Sequence, residues 1–261
     1  MKNRVLSLRI FALATACSLA LLLTCVADCR GSLVTVAGTG WNADVILERG
    51  STDPPAFNNH YNNTISSANW LLYEQGYSNS SQGLNSSGAY VGSSGYSYQM
   101  QDYDTNNVIR DNGTFTLSNP GQFEDIGFLV THQHNAGLTA FWNATLNFSD
   151  NSSTNLSSSG IDWTKTSTQV VVSNHGVVEF QGSKSFYTGR LSMVERTFSL
   201  SAADQLKTLE SVQFSQTASS ADVLIHAISG NSIVTAVPEP SAAVSFIIGM
   251  LAINSRRRRS S

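Results

Sequence analysis

The sequence predicts an all-β body, an antiparallel β-sandwich or jelly roll, set between two apolar ends. Short β-favouring runs recur along it, separated by Gly, Asn, Asp and Ser. In the run at 113–117, Phe115 and Leu117 face one way while Thr114 and Thr116 face the other, the period-two alternation of a half-buried antiparallel strand. No segment of the body carries a long amphipathic helical pattern.

Taken in order, the chain opens with Lys2, Arg4 and Arg9 and an apolar stretch over 10–24 rich in Ala and Leu. Cys25-Val26-Ala27 ends in a small residue suited to cleavage before Asp28, so residues 1–27 read as a secretory signal peptide. A retained anchor needs ~20 apolar residues, more than this run supplies. A lipid-modified cysteine needs a small residue before it, and Thr24 before Cys25 and Asp28 before Cys29 fit poorly. All three cysteines, Cys17, Cys25 and Cys29, precede the body, which excludes an intramolecular disulfide framework, thiol catalysis and Cys-ligated zinc there.

The body spans 30–235. Its strand candidates are 107–110, 113–117, 125–131, 138–148, 168–173, 176–180, 191–200, 209–215 and 222–229. Eight or more strands at this spacing favour two packed sheets. Helix is expected only as a turn or two at 201–207, capped by Ser201 with Asp204 near its start, and at 65–74. Residues 76–98, rich in Gly, Ser and Asn, are expected as a surface loop, with a Tyr-bearing β-ribbon as the alternative. Residues 151–160 are expected as a second polar loop.

Composition excludes several functions. Of the 261 residues, 81 are Ser, Asn or Thr, and only 13% are charged, against roughly 25% in an ordinary soluble domain. Residues 28–254 hold 8 basic and 18 acidic side chains. A nucleic-acid binder needs a basic face to displace counterions from phosphates, so no nucleic-acid partner is expected.

The end of the chain has three parts in order. Pro238-Glu239-Pro240 precedes an apolar run over 241–254, and Arg256, Arg257, Arg258 and Arg259 follow. The prolines suit the start of a helix, where the missing N–H is no loss. Fourteen helical residues reach about 21 Å, short of the ~30 Å hydrocarbon core, and the arginines can snorkel and hold their end on the cytoplasmic side. A buried core helix, the competing reading, does not explain four consecutive arginines.

This tail, over 236–261, resembles the PEP-CTERM sorting signal of Gram-negative bacteria. The resemblance implies recognition of Pro238, Glu239 and Pro240 by exosortase, a multipass membrane protease-transpeptidase. It implies a membrane-stop role for Arg256 to Arg259 and transient inner-membrane anchoring. Delivery to the cell surface or an exopolysaccharide matrix would follow. The body is similar to the β-sandwich ectodomains of sorted proteins from planctomycete-like bacteria. The matching features include the strand at 123–129, the Asp162-Trp163 pair and the strand at 224–228. That likeness implies a galactose-binding-type jelly roll.

Candidate chemistry is sparse. His132 and His134 would share one strand face, but zinc asks for three or four ligands, and two exposed strand histidines are the competing reading. Asp102, Asp104 and Asn106 place oxygen donors at alternate positions, as a loop that wraps Ca2+ does. Asn107 and Gly113 stand where an EF-hand has Gly and Glu, so a plain polar turn competes. Trp163, after a Ser-rich loop, is the candidate for stacking on a sugar ring, with core or loop-anchor packing as the other reading, while Trp142 reads as core. No G-x-S-x-G, H-E-x-x-H, P-loop or paired-carboxylate signature occurs, so no catalytic residue is named. The sequence therefore predicts an exported, noncatalytic surface or matrix protein needing no cofactor. The alternative is a carbohydrate-binding module or carbohydrate-active enzyme acting on exopolysaccharide.

Overall fold

Alternation in the sequence becomes alternation of burial. In the strand Thr139–Phe148, Ala140, Trp142, Ala144, Leu146 and Phe148 are buried, and the residues between them face outward. The structure is a computed structural model that describes residues 32–49, 70–77, 81–134, 139–164, 169–181, 183–217 and 221–233. The expected signal peptide, Pro-Glu-Pro motif, apolar tail helix and arginine cluster lie outside these residues.

The described chain is all-β. Seven short strands come first: β1 (Ser32–Thr35), β2 (Gly38–Thr39), β3 (Ile46–Leu47), β4 (Trp70–Tyr73), β5 (Ala89–Val91), β6 (Ser97–Gln99) and β7 (Ile109–Arg110). Eight longer ones follow: β8 (Gly113–Gly121), β9 (Phe123–His134), β10 (Thr139–Phe148), β11 (Ser153–Ile161), β12 (Val170–Gln181), β13 (Ser183–Ser199), β14 (Leu209–Gln216) and β15 (Ala221–Ser232). The larger sheet has the order β1-β15-β9-β13-β12-β4-β3, with β7 also on β15; the smaller has the order β11-β10-β14-β8-β2. Pairing is antiparallel except between β3 and β4.

One apolar cluster joins the two sheets, with Phe115 and Phe214 of the smaller beside Phe128 and Ile225 of the larger. This is a β-sandwich-like arrangement. A second cluster covers the other face of the larger sheet, where Leu129 and Leu224 meet Tyr73, Tyr77 and Tyr98. A strand buried on both faces reads as a continuous apolar run, and 126–130 of β9 is such a run. Gly127 breaks it because Tyr98 crosses there: a Cβ at Gly127 would lie 2.6 Å from the Tyr98 hydroxyl oxygen.

Four expectations are corrected. Residues 151–160 are mostly strand β11, not loop: with few apolar residues the segment looks like a linker, yet as the edge strand of the smaller sheet it needs only one covered face. The turn before it forms at Asn151, which takes a left-handed φ of 63° that Asn tolerates. Within 76–98, β5 and β6 form the hairpin of the alternative reading, with Tyr90 opposite Tyr98 and both Tyr96 and Tyr98 buried. The expected helix at 65–74 gives way, over its described part, to strand β4, whose Trp-Leu-Leu-Tyr run pairs with β12. At 201–207 there are turns rather than a regular helix; Ser201 nevertheless caps them, its Oγ accepting from the Asp204 N–H at 3.2 Å.

Candidate functional site

Most buried polar side chains are engaged in holding the fold. His132, on β9, faces the smaller sheet, and its Nε2 accepts the indole N–H of Trp142 at 3.0 Å. It is therefore not an exposed strand histidine. Burial, with Arg196 adding, pushes its pKa down to about 3, so the ring is neutral. Nothing is described of the His134 side chain. On β15, His226 is wholly buried with Nε2 2.7 Å from the Thr131 hydroxyl, and burial lowers it likewise to about 3.

Glu195 of β13 is buried under the β5–β6 hairpin. Its carboxylate accepts from the Tyr98 hydroxyl at 3.0 Å, the Ser94 N–H at 3.0 Å and the Ser93 hydroxyl at 3.3 Å. Burial, then the Glu195 charge, raise the Tyr98 pKa well above its ordinary value. A separate group sits where β7 meets β15. Arg110 Nη2 donates to Asp222 at 2.9 Å, its Nε lies 3.4 Å from Asp111, and Asp111 accepts from the Val223 N–H at 3.1 Å. Burial raises both acids, Asp222 to about 6, against the lowering effect of Arg110.

The residues singled out in the sequence fall in separate places. Asp102, Asp104 and Asn106 are exposed; between them Tyr103 turns inward and donates to the Asn85 carbonyl at 2.9 Å, while the Asn106 amide donates to the Trp41 carbonyl at 3.2 Å. Among the described residues, no three His, Cys, Asp or Glu side chains are grouped to hold a metal ion. Trp163 is only 3% exposed and stacks on Trp70 with centroids 6.0 Å apart; Trp70 stacks in turn on Tyr187 at 5.3 Å. Its backbone N–H reaches the His132 carbonyl at 2.7 Å, so Trp163 anchors its loop to the larger sheet. Trp142 is core, as expected.

The outer face of the smaller sheet is what the sequence reading missed. The registers align Asn155, Thr145, Gln213 and Thr114 in one row across β11, β10, β14 and β8. The next row is Ser153, Asn147, Ser211 and Thr116. On the other side, Ser157, Asn143 and Ser215 make a third row, and Phe141, 51% exposed, stands beyond it opposite Ser159. These rows contain no charged side chain. Contacts within the face hold it in place: Ser157 donates to Asn143 at 2.7 Å, and Asn147 donates to Ser211 at 3.2 Å. The readable signal was the polar half of each alternating strand, which is meaningful only once strands lie side by side.

Compared with known proteins, the chain matches no family model and no curated protein.

Proposed function

We propose that the chain is an exported, noncatalytic surface or matrix protein of a Gram-negative bacterium, sorted through a transient inner-membrane stage by an exosortase-type protease. The sorting half of this reading rests on the signal-like N-terminus and on Pro238-Glu239-Pro240, the apolar run and Arg256 to Arg259. One structural observation supports the noncatalytic half: among the described residues, the cross-strand rows on the outer face of the smaller sheet are uncharged, whereas His132, His226 and Glu195 are buried in packing contacts. A catalyst needs acid, base or metal groups converging where substrate can reach them.

The finer architecture proposed is of the jelly-roll kind. Strands that change sheet between β8 and β9, β9 and β10, β11 and β12, β13 and β14, and β14 and β15 support it.

The test has two arms. Replacing Pro238, Glu239 and Pro240 by alanine should leave the full chain in the inner-membrane fraction, and normal surface delivery of that variant argues against exosortase-type sorting. Incubating the purified chain with the producer's own exopolysaccharide should release no reducing ends; a rise above the heat-killed control overturns the noncatalytic reading.

A further inference from the structure

We propose that the outer face of the smaller sheet is a docking surface for an extended, neutral polysaccharide, with Phe141 stacking on a sugar ring beside rows of hydroxyl and amide side chains. This rests on the noncatalytic surface- or matrix-protein reading above and adds to it a site and a ligand class.

Three physical points select the occupant. The first is charge. The rows on β8, β10, β11 and β14 carry no Lys, Arg, Asp or Glu; the nearest acid on β14 is Glu210, at the bulge that ends the face. The rows themselves offer an anionic polymer no cation, Arg196 being engaged beyond them with the Ser159 carbonyl at 3.3 Å, and removing fixed charges from water is costly, so a neutral partner is complementary. The second is polarity. Protein–protein patches have an apolar core with aromatic and Arg anchors, but this face is Ser, Thr, Asn and Gln with one exposed ring. A neutral glycan pairs hydroxyls with such groups and offers its C–H face to an aromatic ring.

The third point is preorganisation. Strand spacing of ~4.8 Å and a two-residue step of ~6.7 Å set a grid with steps comparable to a hexose ring. Its side chains are held by cross-strand contacts such as Ser157 to Asn143 and Asn147 to Ser211. Ordered donors and acceptors lose less entropy on binding than free ones. Each contact is weak, and many rows along a long polymer add up by multivalency.

The test uses the full chain, purified in detergent, on three probes: insoluble cellulose, a galactomannan gel, and alginate as a polyanion. Two variants address the face. Phe141→Ala removes one exposed ring, and a row variant, Thr114→Val with Thr145→Val and Gln213→Met, keeps side-chain size and β-branching but removes the polar atoms. Far-UV circular dichroism checks that each is folded, and if the row variant fails to fold, Phe141→Ala carries the test.

The expected result is retention on a neutral probe, not on alginate, weakened about two- to tenfold by Phe141→Ala and about tenfold or more by the three-residue row variant, since each lost hydrogen bond or ring contact is worth up to about tenfold. Absence of retention on both neutral probes overturns the proposal, as does preference for alginate or retention that the variants leave unchanged. Concentration-dependent self-association that the variants abolish, without glycan retention, assigns the face to a second copy of this chain and overturns it too. Reducing ends are measured in the same tubes: a rise removes the noncatalytic reading, while the variants still decide the face.

Discussion

The indole N–H of Trp142, on β10, donates to Nε2 of His132, on β9, at 3.0 Å, a buried hydrogen bond from the smaller sheet to the larger. It requires a neutral imidazole with its proton on Nδ1. Replacing Trp142 with Phe keeps an aromatic ring but leaves that nitrogen without its donor. The expected loss is ~1–3 kcal/mol by urea unfolding. A variant as stable as the parent would show that the bond does not hold the sheets.

Protonation should break this bond. His132 and His226 have folded values of about 3, below the ordinary ~6.5, because both are buried. The unfolded chain therefore binds more protons between those values. Stability from the two rings is full above pH ~6.5 and falls as pH drops towards 3, by up to ~1.4 kcal/mol per pH unit for each ring. Urea unfolding of His226→Gln at about pH 7 and about pH 5 should show a smaller acid loss than the parent. Equal losses would place the acid sensitivity elsewhere.

Asp222 acts with the opposite sign. Its folded value is pushed up to about 6, burial outweighing Arg110, so the folded chain binds the extra proton. Its contribution is full below its unfolded value near 3.8 and is lost as pH rises through about 6. Comparing the parent with Asp222→Asn across this window, at fixed ionic strength, isolates that slope. A slope that survives the substitution is not due to Asp222.

Glu195 fixes the β5–β6 hairpin to the larger sheet. Tyr98→Phe removes one of its three donors and should cost ~1.5–3 kcal/mol, the range for hydrogen bonds to charged groups. The effect should be local, so hydrogen exchange should quicken at 89–99 more than in β10 or β14. Uniform quickening across the body would contradict a hairpin clasp.

Gly160 lies against the His132 ring, and a Cβ there would come within 2.1 Å of Nδ1. Gly160→Ala should destabilise by ~1–3 kcal/mol through overpacking and lower the melting temperature. An unchanged melt would mean that β11 can move off the ring.

The candidate surface was only half legible before the structure. Phe115 and Leu117 against Thr114 and Thr116 already separate two faces of β8, and the same holds along β10. Nothing local says that Thr145 stands beside Gln213, because that depends on register with a strand about 70 residues away. Trp163 illustrates the reverse difficulty: a tryptophan after a polar loop looks available, yet it is buried in the cluster on the larger sheet, with Trp70 of β4 stacked on it. Glu195 and Asp222 carry no local signal, since an acid in a strand is usually exposed and their partners come from distant segments.

By itself the sequence determined the all-β class and the long strands with clear apolar alternation, such as β8 and β10, because period-two alternation and turn residues are local properties that any pairing must respect. Tertiary structure decided which polar segments became strands and which polar faces stayed open. Residues 153–161 are strand because β10 provides backbone partners along one edge, and β5 and β6 exist because each pairs with the other. The reason is physical: backbone pairing and coverage by a second layer are non-local, so a run of Ser and Asn is loop or sheet according to what lies beside it.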